Sequence, residues 1–144
     1  MYNPPTFLTM QVLSDILDEF EWSELYTIKE EDWTVDGIKV RFPKCILYFR
    51  EGFESDMSVY ISKSDGKKYW SSLELIHYIF APVITQEHTF KPPVLHNFFS
   101  PFASFEKVQF ELRDLCIIIQ TYLMDCLEGN FSLVDEYSKK HPEL

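Results

Sequence analysis

The sequence predicts a single α+β domain over residues 1–144, with an N-terminal helix, an antiparallel meander of about four to six strands, and further helices packed on that sheet. The apolar residues recur at helical spacing near both ends of the chain, which indicates helices. Between Leu25 and Trp70 they recur at every second position, which indicates strands. The chain is 46% hydrophobic and 17% aromatic, so it has enough apolar side chains for one core.

The first helix is predicted over about residues 6–20, with Thr6 as its N-cap. Acidic and amide side chains occupy one side of this segment, and apolar residues recur at helical spacing on the other. We therefore expect an amphipathic helix that covers the core with one face. The apolar positions are Leu13, Ile16, Leu17 and Phe20.

Two Asp-Gly pairs, Asp36-Gly37 and Asp65-Gly66, predict tight hairpin turns, because Asp and Gly accept the positive φ that two-residue turns require. The runs beside these turns alternate apolar and polar residues, as half-buried strands do. A run at residues 45–49 is apolar on both faces, so we expect it in the middle of the sheet. The predicted strands are residues 33–35, 38–42, 45–49, 57–63 and 67–70.

Three more helices are predicted in the second half of the chain. The first covers about residues 73–80 and carries Ser71 and Glu74 at the spacing of a capping box. The longest covers about residues 104–127, presents a continuous apolar stripe, and ends before Gly129. A short final helix is predicted with Ser132 as its N-cap. Residues 81–102 contain four prolines and are predicted to be irregular.

No motif in the chain identifies a catalytic site. The four glycines are far apart, which excludes the glycine-rich loops that cradle phosphates. There is no Cys-x-x-Cys pair, and His88 with His96 in one loop is the nearest approach to a metal-binding pair. The sequence also lacks the Gly-x-Ser-x-Gly motif of a nucleophile elbow. We therefore expect a non-enzymatic protein with no cofactor and no metal.

The three cysteines are expected to be free thiols. Cys116 and Cys126 lie ten residues apart on one predicted helix, which separates them by about 15 Å. A disulfide requires Cα atoms closer than about 7 Å. Cys45 falls within an apolar strand pattern, where a free cysteine behaves as a small hydrophobic residue.

Charge limits the classes of partner. A net charge of −10 argues against binding to DNA, RNA or an anionic membrane, which require clustered lysine and arginine. No apolar run approaches the roughly 18 residues needed to span a bilayer, and the first residues lack the pattern of a secretory signal. We expect a cytoplasmic protein whose partner is another protein with a basic surface.

The acidic residues concentrate between Asp15 and Asp36, a segment that contains nine acids and a single base, Lys29. Acidic fields speed encounter with cationic surfaces, and interleaved aromatic residues can anchor the contact. The alternative is a solvated face that only keeps the protein soluble. The candidate interface comprises Glu19, Glu21, Trp22, Glu24, Tyr26, Glu30, Glu31, Asp32, Trp33 and Asp36.

A second candidate interface lies in the proline-rich loop and consists of four phenylalanines. Irregular stretches of this length are uncommon in compact domains and are often functional. The alternative, which the energy of ring burial favours, is that these rings cover one face of the sheet. The four residues are Phe90, Phe98, Phe99 and Phe102.

The closing segment of the chain, residues 127–137 (LEGNFSLVDEY), together with the acidic and aromatic composition, resembles the small immunity proteins of bacterial polymorphic-toxin systems. The resemblance implies an α+β domain that inhibits a toxin by stoichiometric occlusion and needs no cofactor. It assigns no role to any individual residue. A basic nuclease toxin would suit the charge, and a non-nuclease toxin would suit the fold equally well.

Two other functions stay open. One is an accessory or regulatory subunit of a cytoplasmic assembly, and the other is an acidic nucleic-acid mimic. Genomic neighbourhood distinguishes them, because a toxin gene immediately upstream favours immunity and an operon with an enzyme favours a subunit.

Overall fold

A helix, a four-stranded antiparallel sheet and a set of C-terminal helices follow one another along the described part of the chain. The structure, a computed structural model, describes residues 7–20, 22, 26–34, 37–52, 56–80 and 104–141. This order of elements confirms the predicted α+β class. None of the helices within these ranges is both long and apolar enough to cross a bilayer.

Helix α1 spans Met10–Glu19 and begins at an N-cap threonine, Thr9, whose side-chain oxygen accepts a hydrogen bond from the Val12 amide at 3.1 Å. The prediction of Thr6 as the N-cap is wrong, because Thr9 has the extended backbone of a cap and directly precedes the first helical residue. The predicted apolar face is buried at Leu13, Ile16 and Leu17.

The sheet consists of β1 (Gly37–Phe42), β2 (Cys45–Glu51), β3 (Met57–Lys63) and β4 (Trp70–Ser71). The strands lie in sequence order and every neighbouring pair is antiparallel. Strand β2 therefore has β1 on one side and β3 on the other, which confirms the predicted central position of residues 45–49.

The Asp-Gly predictions hold only in part. Gly66 does adopt a positive φ of 66°, and its amide donates to the Lys63 carbonyl at 3.0 Å, so a turn is present. Residues 67–70 do not form the predicted strand, because pairing with β3 resumes only at Trp70. Over this segment the Tyr69 ring packs instead on Tyr48 of β2, with ring centroids 5.8 Å apart.

Glycine is required at position 37 by a close approach of the neighbouring strand, and not by the predicted turn. It does not have a positive φ; it is the first residue of β1, and a Cβ there would collide with the Phe49 carbonyl oxygen. The predicted strand at residues 33–35 is absent among the described residues, since Trp33 forms only an isolated bridge with Ile38 and residue 35 lies outside them.

The helices follow the predicted positions closely. Helix α2 spans Ser72–Ile79, and α3 spans Phe105–Ile118 before continuing through a π-helical turn, Ile119–Leu123, into α4, Met124–Leu127. Helix α5 spans Ser132–Lys140. Gly129 has a positive φ of 94° and ends the long helical segment as predicted.

The capping box predicted for α2 is not formed, and the N-cap predicted for α5 is wrong. Ser71 occupies the N-cap position of α2, but its side chain makes no capping hydrogen bond, and Glu74 accepts a hydrogen bond from the Tyr137 hydroxyl at 3.2 Å, so the capping box is not formed. Ser132 is the first residue of α5 and not its N-cap; its amide and hydroxyl both donate to Asn130 Oδ1, at 3.1 and 2.7 Å. The sequence spacing of polar residues does not determine which groups their side chains hydrogen-bond in the folded protein.

The core lies between one face of the sheet and the helices. The predicted stripe of the long helix packs against the inner face of the sheet, as expected for an apolar helix face and an alternating strand pattern that must bury each other. Buried members of this stripe are Val108, Leu112, Leu115, Ile119 and Cys126, while Tyr122 is partly buried.

Helix caps provide a matched stability prediction. Ser104→Ala should lower the free energy of unfolding by about 1 kcal/mol, because the Ser104 hydroxyl accepts a hydrogen bond from the Lys107 amide at the start of α3. Ser71→Ala makes the same chemical change at an N-cap position without a capping bond, so it should cost much less. Urea denaturation of both variants measures the difference, and equal losses would contradict it.

A candidate docking site on an acidic corner

Two acids and a tryptophan project into solvent from a single short turn before β1. The turn is a 3₁₀ helix, Glu30–Asp32, and the side chains of Glu30 and Glu31 are exposed. Trp33 follows directly and is 52% exposed. We call Glu30, Glu31 and Trp33 the acidic corner.

The third acid of the turn does not reach solvent. Asp32 is only 1% exposed, and its carboxylate accepts two hydrogen bonds from the Arg41 guanidinium, at 2.9 Å from Nε and 2.8 Å from Nη2. The Lys29 amide donates to the same carboxylate at 3.1 Å. The Arg41 guanidinium holds the pKa of Asp32 below its usual value, so the carboxylate is ionised in the folded protein at neutral pH. Asp32 clamps the turn onto β1.

Backbone bonds fix the chain on both sides of the corner. Thr27 and Arg41 exchange two backbone hydrogen bonds, at 2.8 and 2.9 Å. Trp33 forms a bridge with Ile38, and the Thr34 amide donates to the Gly37 carbonyl at 2.9 Å. The corner is therefore held in one geometry before any partner arrives, which reduces the entropy lost on binding.

Other members of the predicted interface serve as internal braces. The Glu19 carboxylate accepts two hydrogen bonds from Arg113 of α3, at 2.9 and 3.0 Å. The Trp22 indole N–H donates to the Gln120 side chain at 3.1 Å, and its ring lies 6.0 Å from that of Phe42. These contacts join the end of α1 and the segment after it to the long helix and to β1.

Tyr26 has a similar bracing position. Its hydroxyl donates to Asp18 at 2.9 Å, and its ring centroid lies 6.0 Å from Phe42. Burial and the nearby Asp18 carboxylate raise the pKa of Tyr26. Of the predicted set, the structure thus brings Glu30, Glu31, Asp32 and Trp33 together on one turn. Three further members lie outside the described residues: Glu21, Glu24 and Asp36.

The second predicted interface is not tested by the structure. All four of its phenylalanines lie outside the described residues, at Phe90, Phe98, Phe99 and Phe102. His88 and His96, the nearest approach to a metal-binding pair in the sequence, lie in the same undescribed range. Within the described residues, no three His, Cys, Asp or Glu side chains are grouped so as to hold a metal ion.

The thiols are placed for packing. Cys45, Cys116 and Cys126 are all free and buried in the core. Burial raises the pKa of Cys45 and Cys116 to about 12 and that of Cys126 to about 11, so all three are protonated at neutral pH. A protonated, buried thiol is a poor nucleophile and a poor metal ligand.

One surface was not recognised from the sequence. The polar positions of the strands, which the alternation places away from the core, carry basic and tyrosine side chains: Lys39, Arg41, Tyr48, Arg50 and Tyr60. The alternating strand pattern of the sequence carries the signal for this surface, since Lys39 and Arg41 share one face of residues 38–42.

No protein-family model, curated protein or solved structure matches this chain.

Proposed function

We propose that this chain is a protein-binding domain that docks a positively charged protein surface through the acidic corner. One observation carries the proposal: the half-exposed Trp33 ring lies next to two exposed carboxylates on a turn that a partly buried ion pair holds in place. Tryptophan is enriched among the residues that dominate binding energy at protein interfaces. The two acids give the anchor a preference for a basic partner.

The binding follows from charge and then from packing. A net charge of −10 attracts a cationic surface over several ångströms, and this raises the rate of encounter. Contact then buries the exposed part of the Trp33 ring and slows dissociation. Neither step needs a cofactor or a chemical reaction, so the proposed mode of action is stoichiometric occlusion of the partner.

Such a mode of action is that of an immunity protein, which neutralises a toxin by covering it, and we favour this role. The three free, buried cysteines suit a reducing compartment, which supports a cytoplasmic location. An accessory subunit would use the same corner on an enzyme. The neighbouring gene distinguishes the two roles, since a toxin gene immediately upstream favours immunity and an operon with an enzyme favours a subunit.

Charge reversal at the corner tests the proposal. In Glu30→Lys/Glu31→Lys, the association rate with the purified product of the neighbouring gene should fall by about tenfold, while the dissociation rate changes little. Asp32 is left intact because it is buried against Arg41 and its reversal would disrupt the turn itself. Stopped-flow or surface-plasmon kinetics measure both rates.

The matched control is Glu106→Lys/Glu128→Lys, which changes the net charge equally at two exposed acids of the C-terminal helices. If the corner steers the partner, the control should lose much less of the association rate than the corner variant. Added salt should lower the association rate of the unmodified protein, because exposed charges are screened beyond about 8–10 Å near physiological ionic strength. If the corner variant folds and keeps the association and dissociation rates of the unmodified protein, the two acids only form a solvated face and the proposal is wrong.

A further inference from the structure

The outer face of the sheet, which points away from the helices, carries positive charge on an acidic protein. Lys39 of β1, Tyr48 of β2 and Tyr60 of β3 lie opposite one another in a single cross-strand row. Arg50 follows Tyr48 at the next outward position of β2, and its side chain is exposed. None of the outward positions of β1, β2 and β3 is an acid.

Cations and rings alternate across this face. The Lys39 ammonium lies 5.6 Å from the ring centroid of Tyr48 and 5.5 Å from that of Tyr69. The Arg50 guanidinium carbon lies 5.7 Å from the centroid of Tyr48 and 5.8 Å from that of Tyr60. Cation–π attraction at such distances holds flexible side chains against the rings. We call Lys39, Tyr48, Arg50, Tyr60 and Tyr69 the tyrosine–cation face.

The arrangement favours one kind of ligand. Lys39 and Arg50 are packed against the tyrosine rings, and the rings of Tyr48 and Tyr69 meet edge-on with their centroids 5.8 Å apart. The rings therefore do not form an open platform on which nucleic-acid bases could stack. What the face offers to solvent is N–H donors of lysine and arginine together with tyrosine hydroxyls. Carboxylates and phosphates are both complementary acceptors, and an acidic peptide segment, unlike a nucleic acid, needs no stacking platform.

We infer that the tyrosine–cation face is a second docking surface, and that its occupant is an acidic segment of another protein. Tyrosine and arginine are the residues, with tryptophan, that most often dominate protein interfaces. The charge of this face is opposite to that of the acidic corner, so the two surfaces select different partner chemistry. This inference does not depend on the acidic corner, because it uses other residues and an oppositely charged ligand.

Titration with an acidic probe tests the inference. A fluorescein-labelled oligo-glutamate peptide should bind the intact protein at low salt, with amide NMR shifts concentrated at β1, β2 and β3. Lys39→Glu/Arg50→Glu should weaken this binding by about tenfold, because it replaces two attractive charges with two repulsive ones. Fluorescence anisotropy gives the dissociation constants, and circular dichroism with thermal melting confirms the fold of the variant.

Lys44→Glu/Lys139→Glu is the matched control, since it reverses two exposed lysines that are not part of the face. It should bind the peptide much more tightly than the face variant does; equal loss in both variants would overturn the inference. Should the face variant fail to fold, Lys39→Gln/Arg50→Gln retains long polar side chains and should still weaken binding several-fold. Absence of binding by the unmodified protein, or tighter binding of an oligothymidylate through the same residues, would also overturn it.

Discussion

Asp32→Asn should lower the free energy of unfolding by about 1–3 kcal/mol at neutral pH. The change keeps the size of the side chain but removes the charge that pairs with Arg41, whose side chain is only 34% exposed. The carboxylate also accepts the Lys29 amide, so one substitution weakens three hydrogen bonds that fix the turn. Urea denaturation at pH 7 measures the loss.

The pH dependence of stability identifies the charge as the cause. The Arg41 guanidinium lowers the pKa of Asp32 in the folded protein relative to the unfolded chain, where it is about 4. The carboxylate therefore stabilises the fold fully above that value, and its contribution is lost as the pH falls through the lower folded pKa. The difference in stability between the unmodified protein and Asp32→Asn should narrow below about pH 4.

Glu19→Gln is the control for a solvent-exposed ion pair. Glu19 and Arg113 form an equally well-aligned pair, yet their side chains are 47% and 46% exposed. Exposed pairs contribute at most about 1 kcal/mol, so this variant should lose less stability than Asp32→Asn. Equal stability of Asp32→Asn and the unmodified protein at pH 7 would show that the buried pair does not hold the turn.

Much of the fold could be predicted because its signals are local. The change from helical to alternating spacing located α1 and the strands, and the run at residues 45–49 identified the central strand. Contacts between distant residues could not be read in this way. Glu74 was predicted to cap its own helix, but its carboxylate accepts a hydrogen bond from the hydroxyl of Tyr137 of α5, 63 positions away.

The candidate site shows the same division. The clustering of acids between Asp15 and Asp36 is visible in the sequence, and so is the tryptophan beside Glu30 and Glu31. Which acids form internal contacts depends on pairs that only the fold creates, such as Glu19 with Arg113, 94 residues apart. Burial of Asp32 likewise depends on β1 lying alongside the turn. The acidic corner is what remains exposed after those pairs form.

Trp33→Ala should have the largest effect on binding. Truncating a tryptophan that dominates an interface costs about 2 kcal/mol or more, which corresponds to roughly a thirtyfold change in affinity. The ring is 52% exposed, so its loss should leave the fold nearly intact. The effect should fall on the dissociation rate, since packing of the anchor forms after encounter, whereas the charges of Glu30 and Glu31 act before it.

Leu73→Ala is the matched control because Leu73 is a comparably exposed apolar side chain, at 49%, on helix α2. If the partner docks at the acidic corner, Leu73→Ala should leave the association and dissociation rates unchanged.

The most direct measurement is the dissociation rate of Trp33→Ala from the purified product of the neighbouring gene, beside that of Leu73→Ala. We expect Trp33→Ala to dissociate about thirty times faster than the unmodified protein, with an association rate within a factor of about two. A dissociation rate equal to that of the unmodified protein, in a folded variant, would contradict docking through the acidic corner.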